Sequence, residues 1–227
     1  MKKNFMIQVV LVVCFWSHLV FSADDGNTEI SDLTPWIGHS LSIINLYQSE
    51  SANNYFSEVA KHAPEGYTKE LVKEFIYNQF ALKFKSIDFV DKNTIAIDDR
   101  ISGTYVYVGR LATKWKAQTT KWEIFKTDSQ EMIAAGFKYF ILFPFHQQSK
   151  DSLRHAHLRY GNENFDFLIT DPSVQLWWPT IYQPEATDEE KIIASMTDGA
   201  RLQASILPPL KKPVETYLKN KSQNDNL

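Results

Sequence analysis

The chain has 227 residues, a formal net charge of −3 at pH 7, and is 44% hydrophobic and 14% aromatic. This is the composition of a globular protein, not a disordered one, and the length suits a single core. No basic stripe points to nucleic acid as a partner, and beyond the N-terminal segment no apolar run approaches membrane-spanning length.

Lys2 and Lys3 precede a mostly apolar stretch from Phe5 to Phe21, and Val20-Phe21-Ser22 ends it with small residues ahead of Ala23. Residues 1–22 therefore read as a secretory signal peptide cut after Ser22. Gln8, Ser17 and His18 interrupt the stretch and argue against a membrane anchor, so no membrane association is expected after cleavage. Loss of Lys2 and Lys3 moves the formal charge from −3 to −5. The one cysteine, Cys14, lies inside the signal. The mature chain therefore has no disulfide and must rely on its core.

Residues 23–29 are acidic and polar and read as a flexible leader. Leu41, Ile43, Ile44, Leu46 and Tyr47 recur at helical spacing, which places Gly38 and His39 in a first helical region. Ser51 to His62 continues helically until Pro64-Glu65-Gly66 stops it. Thr68 caps a further helix with an apolar stripe of Leu71, Val72, Phe75, Ile76 and Phe80. After Leu82 the period changes to two. Phe84, Ile87 and Phe89 and then Thr94 to Ile97 predict a hairpin turning at Asp91-Lys92-Asn93. Thr104 to Val108, Lys121 to Phe125, Phe137 to Phe145, Arg154 to Tyr160 and Phe165 to Ile169 are further predicted strands. Many short antiparallel strands indicate a barrel or sandwich. Asp188 to Met196 reads as a short helix, and residues 199–227, with Pro208-Pro209 and Lys211-Lys212-Pro213, as a polar C-terminal extension.

Three of the six histidines fall within twelve residues: His146, His155 and His157. On a strand, residues i and i+2 share a face, so His155 and His157 would present their imidazoles together. The short connection after His146 can return the chain beside itself with little loop entropy lost. Three neutral imidazoles with an open fourth position suit zinc. Asp151 and Glu163 are nearby candidates for orienting the rings. His39 is a distant candidate ligand or a surface histidine, and His62 reads as the end of a helix. Trp36, Trp115, Trp122, Trp177 and Trp178 are candidates for a ligand cavity or for the core.

The run His146-x8-His155-x-His157-x3-Gly161-Asn162, followed by Trp178-Pro179-Thr180-x-Tyr182, resembles the ZinT (YodA) family of periplasmic zinc-binding proteins. Weaker similarity takes in Ser31-Asp32, Trp36-x-Gly38, Thr187 to Glu190 and Met196, so that the resemblance covers roughly residues 30–198. The resemblance implies a mainly β fold with accessory helices, a lipocalin-like (calycin) β-barrel. Zinc would sit near one end, on His146, His155 and His157, with cadmium among the other divalent ions bound. It also implies a periplasmic role in zinc scavenging and delivery to the solute-binding protein of a zinc ABC importer. The leader here has no histidine, unlike many members of that family.

Two other functions fit the residues. A zinc hydrolase or hydratase would use the open position for a hydroxide, but neither an H-E-x-x-H motif nor an evident base accompanies the histidines. A lipocalin-like carrier of a small apolar ligand would use the aromatic residues and leave the histidines incidental.

Overall fold

The computed structural model describes residues 30–115, 118–147, 153–184 and 188–210. The expected signal peptide and leader, the extension beyond residue 210, and Asp151 all lie outside the described residues.

The described chain opens with a 3-10 turn at Thr34–Trp36 and strand β1, Gly38–Ser42. Three helices follow: α1 (Ile44–Tyr47), α2 (Ala52–His62) and α3 (Lys69–Phe80). A meander comes next: β2 (Ser86–Phe89), β3 (Thr94–Ile97) and β4 (Ile101–Thr104). A second run of strands comprises β5 (Val106–Trp115), β6 (Gln118–Lys126), β7 (Tyr139–Leu142) and β8 (His155–Gly161), with the short helix α4 (Gln130–Ala134) after β6. Helix α5 (Phe165–Thr170) and β9 (Thr180–Tyr182) lead to α6 (Glu189–Asp198) and α7 (Ala200–Ala204).

The nine strands form one antiparallel sheet in the order β4-β3-β2-β1-β9-β8-β7-β6-β5. Its two end strands, β4 and β5, are separated in sequence by Tyr105 alone. A flat nine-stranded sheet would hold its edges about 38 Å apart at the usual strand spacing, far beyond the reach of one residue. The sheet must therefore curl, and it forms a lipocalin-like half-barrel. Tyr105 pins the corner: its N–H donates to the Asn93 carbonyl (2.7 Å) and its hydroxyl to that of Phe137 (2.5 Å). Helix α4 packs across the end of β4, where a Cβ on Gly103 would meet the Met132 side chain at 2.6 Å. Only glycine allows that approach.

The concave side holds the main core, including Trp36, Ile87, Phe89, Phe125, Phe140, Leu142, Leu158 and Ile181. A second core lies where α2, α3, α6 and α7 cover the convex side near β1 and β9. Each fully buried large apolar side chain contributes about 1.5–3 kcal/mol, and these two clusters supply what disulfides supply elsewhere.

Four expectations need correction. Gly38–Ser42, expected to be helical, is a strand: it has β2 on one side and β9 on the other, and Ser40 and Ser42 are buried between them. Phe165 to Ile169, expected as a strand, is helix α5: the Asn164 side chain accepts from the Phe167 N–H (2.8 Å), and Phe165, Leu168 and Ile169 fall at helical spacing toward the sheet. The strand expected at Thr104–Val108 is two strands broken at Tyr105. The extension after residue 198 begins as a packed helix, with Ala200, Ala204 and Leu207 buried against α2 and its neighbours. No described helix is long and apolar enough to cross a membrane.

Candidate metal centre

Directly opposed residues in adjacent strands share a face. His155 is opposite Tyr182, and His157 is opposite Thr180, while Ala156 is opposite Ile181. Ala156 and Ile181 belong to the concave core. His155 and His157 therefore lie on the convex face, at the start of β8 where it follows the β7–β8 connection. That position places the cluster outside the lumen.

His146 reaches the same face through a shift of register. Along β7 and β8 the pairs run from Tyr139–Gly161 to Leu142–Leu158. Continued regularly, this pairing would set His146 opposite Arg154 with its ring on the concave side. Instead His146 is opposite His155, and their backbones exchange hydrogen bonds of 2.9 and 3.0 Å. Pro144 has no N–H for the ladder. After it the alternation slips by one residue, so that Phe145 packs on the concave core and His146 turns outward. A one-residue slip moves a side chain to the other face; here it completes the triad.

The three rings are close. Their centroids are 4.1 Å apart for His146–His155, 5.1 Å for His155–His157 and 5.4 Å for His146–His157. One nitrogen from each lies within 4.8 Å of the other two, and all three residues are half-buried. Tetrahedral zinc with bonds of about 2.0–2.1 Å needs nitrogens about 3.3 Å apart, within that limit.

The other nitrogens are engaged. His155 Nδ1 lies 2.9 Å from the Leu153 carbonyl and His146 Nδ1 lies 3.3 Å from that of Pro144. A carbonyl only accepts, so both rings carry their proton on Nδ1 and keep an Nε2 lone pair. His157 Nδ1 lies 2.9 Å from Thr180 Oγ1. The donor set is thus three neutral imidazoles with their outer nitrogens held, which fits a borderline-soft divalent ion such as zinc.

Burial depresses all three histidines. It is the main cause for His146. His155 falls to about 3 through burial and then through the nearby His146. His157 falls well below the ordinary range, through burial and then the neighbouring His155, His146 and Arg159. A site of neutral imidazoles at physiological pH is ready for a cation.

An aromatic wall surrounds the site. Phe143 and Trp178 meet His157 edge-on at 6.4 and 5.5 Å. Arg159 follows His157 on the same face, buried, with its guanidinium 5.3 and 5.2 Å from the rings of Trp122 and Trp178. It donates to the Leu168 and Ile169 carbonyls at 2.8 and 3.0 Å. Burial pushes its pKa down to about 10, so it stays charged.

All three predicted ligands come together. Glu163 is exposed past the far end of β8, outside the triad. His39 stands apart on β1, exposed and paired with Asp88 at 2.8 Å, and His62 is exposed at the end of α2. Trp36 fills the concave core and Trp177 packs against it. The side chain of Trp115 falls outside the described residues. Sequence reasoning missed Thr180 and Arg159. Arg159 continues the same alternation as the two histidines, so its face was legible.

The curled antiparallel sheet, the helices over its convex side and the imidazole cluster on that side define a ZinT-like fold. The chain is similar to the Zn(II)-bound ZinT-like domain of AdcA from Streptococcus pneumoniae, with a TM-score of 0.55 and 18% identity over 77% of this chain and 94% of that domain. It is also similar to Zn(II)-bound AdcA from the same organism, with a TM-score of 0.56 and 18% identity; there the match covers 73% of this chain and 35% of the other. The chain thus spans about a third of AdcA, corresponding in extent to one domain of it. No protein-family model matches the sequence, and no curated protein matches it.

Proposed function

We propose that this chain belongs with the ZinT-like proteins and binds one zinc ion on His146, His155 and His157, holding the metal without turning over a substrate. The convergence of one nitrogen from each ring within 4.8 Å carries this reading. The likeness to two zinc-bound structures supports it. Cadmium and other divalent ions of similar softness would compete for the same nitrogens. The fourth position takes water or a ligand from outside the triad.

Residues 1–22 direct export, the zinc-binding domain opens at residue 30 and takes in the packed helix α7, and the mature protein works in the periplasm. There it collects zinc and passes it to the solute-binding protein of a zinc ABC importer. The signal-like N-terminus supports export, and the fold shared with a domain of AdcA supports zinc handling. The likeness to two zinc-bound structures fits a site that holds the metal; a zinc hydrolase would need a proton acceptor beside its bound water.

The test is zinc transfer. The mature chain loaded with one zinc is mixed with a purified zinc-importer solute-binding protein, and metal is followed in each. Movement of zinc faster than its spontaneous release is the expected result. Transfer no faster than release to a chelator contradicts delivery.

A further inference from the structure

We infer that Thr180 is a positioning residue of the triad: its hydroxyl fixes His157 in the tautomer that presents Nε2 to the metal. The inference rests on the zinc reading above and adds to it a side chain that orders a ligand.

The argument starts from direction. A hydroxyl can donate or accept, so one beside an imidazole does not by itself set the tautomer. Thr180 Oγ1 donates to the Trp178 carbonyl at 2.8 Å. A carbonyl cannot give a proton back, so the only hydroxyl hydrogen is committed there. Toward His157 the oxygen offers lone pairs alone, and Nδ1, 2.9 Å away, must carry the hydrogen. The chain from His157 Nδ1–H through the hydroxyl to the Trp178 carbonyl runs one way, and Nε2 is left as the lone pair.

Its far end is anchored. The Trp178 N–H donates to the Gln79 carbonyl at the end of α3 (2.6 Å), and the Pro179 carbonyl accepts from the Leu158 N–H in β8 (3.0 Å). Thr180 is 1% exposed, so water does not substitute for its hydroxyl. The three ligands also differ in kind. His146 and His155 are oriented by backbone carbonyls two residues upstream, which no substitution at those positions removes. His157 is oriented by the Thr180 side chain. Removing it leaves the ring free to carry its proton on Nε2, the form that cannot ligate through that atom.

The experiment compares wild type, Thr180→Val and Thr180→Ser. Valine keeps the branched shape without the hydroxyl; serine keeps the hydroxyl. Zinc affinity is measured by competition with a chelator, and the His157 tautomer by 15N NMR of the zinc-free chains. Thr180→Val is expected to weaken zinc binding about 10- to 100-fold and to shift His157 toward Nε2–H. Thr180→Ser is expected to restore both readouts. A valine variant that folds and binds zinc like wild type overturns the role. So does a zinc-free wild type with His157 protonated on Nε2, a measurement that needs no variant to fold. A wild type that takes up no zinc overturns the metal reading itself and this role with it, whatever the tautomer.

Discussion

His155 is held to a pKa of about 3 by burial and by His146, and His146 and His157 are also depressed. Protons therefore compete poorly with a metal at this site. Three ordinary imidazoles with pKa near 6.5 would lose about 50-fold in zinc affinity between pH 7.5 and 6.0. Here the expected loss over that interval is within about threefold, measured by chelator competition at each pH. The same shifts govern the metal-free protein. A histidine with a depressed folded pKa binds its proton more readily when unfolded. Its stabilising contribution is full above the unfolded value near 6.5 and declines as pH falls from there toward the folded value. Urea midpoints of the metal-free chain should drop between about pH 6.5 and 5, above the range where the stabilising charges of Asp91, Asp98 and Asp188, all with lowered pKa, are lost. The chain with all three histidines replaced by alanine should lose less over the same interval. An equal loss in both would assign the pH dependence elsewhere.

Elements carry the site by register and by close approach. The β7–β8 pair brings His146 to the convex face because Pro144 interrupts the ladder, and β9 brings Thr180 opposite His157. Across the sheet, β4 is tied to α4 at Gly103. Gly103→Ala places a methyl 2.6 Å from Met132 Cγ, and overpacking of this kind costs about 1–3 kcal/mol. A lowered urea midpoint with unchanged zinc stoichiometry is the expected outcome; an unchanged midpoint would mean that α4 yields freely. Much of this level was legible in the sequence. The Thr68 cap is made, its side chain accepting from the Leu71 N–H at 3.3 Å, and the hairpin turns where Asp91 Oδ1 accepts from the Asn93 and Thr94 N–H groups at 2.7 and 2.9 Å. The misreadings have a common physical source. Short apolar runs such as Phe165 to Ile169 carry too few residues to separate a period of 3.6 from a buried strand, so a single cap at Asn164 decided the outcome. Gly38–Ser42 pairs only with strands distant in sequence, a tertiary choice that local pattern does not record. The triad was legible as a spacing, while the slip at Pro144 that makes its third member face outward was not.

At the scale of the whole molecule, the curl follows from connectivity. Strands at opposite ends of the sheet are one residue apart in sequence, and the first and last strands, β1 and β9, lie side by side. The concave side is packed mainly with apolar side chains, and the histidine cluster lies on the convex side near the helical layer. A metal held there ties β8 to the connection that precedes it, so binding should stabilise the fold. With free zinc at about 100 times Kd, mass action adds about 2.7 kcal/mol. Thermal unfolding of the wild type should shift upward with zinc, whereas that of His155→Ala/His157→Ala should not. A zinc-induced shift that survives in the double variant would place the binding elsewhere on the chain.

Metal content settles the central claim most directly. The mature chain from Ala23 and its His155→Ala/His157→Ala variant are loaded with zinc, freed of excess and assayed for bound metal. One zinc per wild-type chain and none in the variant is the predicted result. Equal zinc in both, or none in either, would contradict a three-histidine metal centre on this fold.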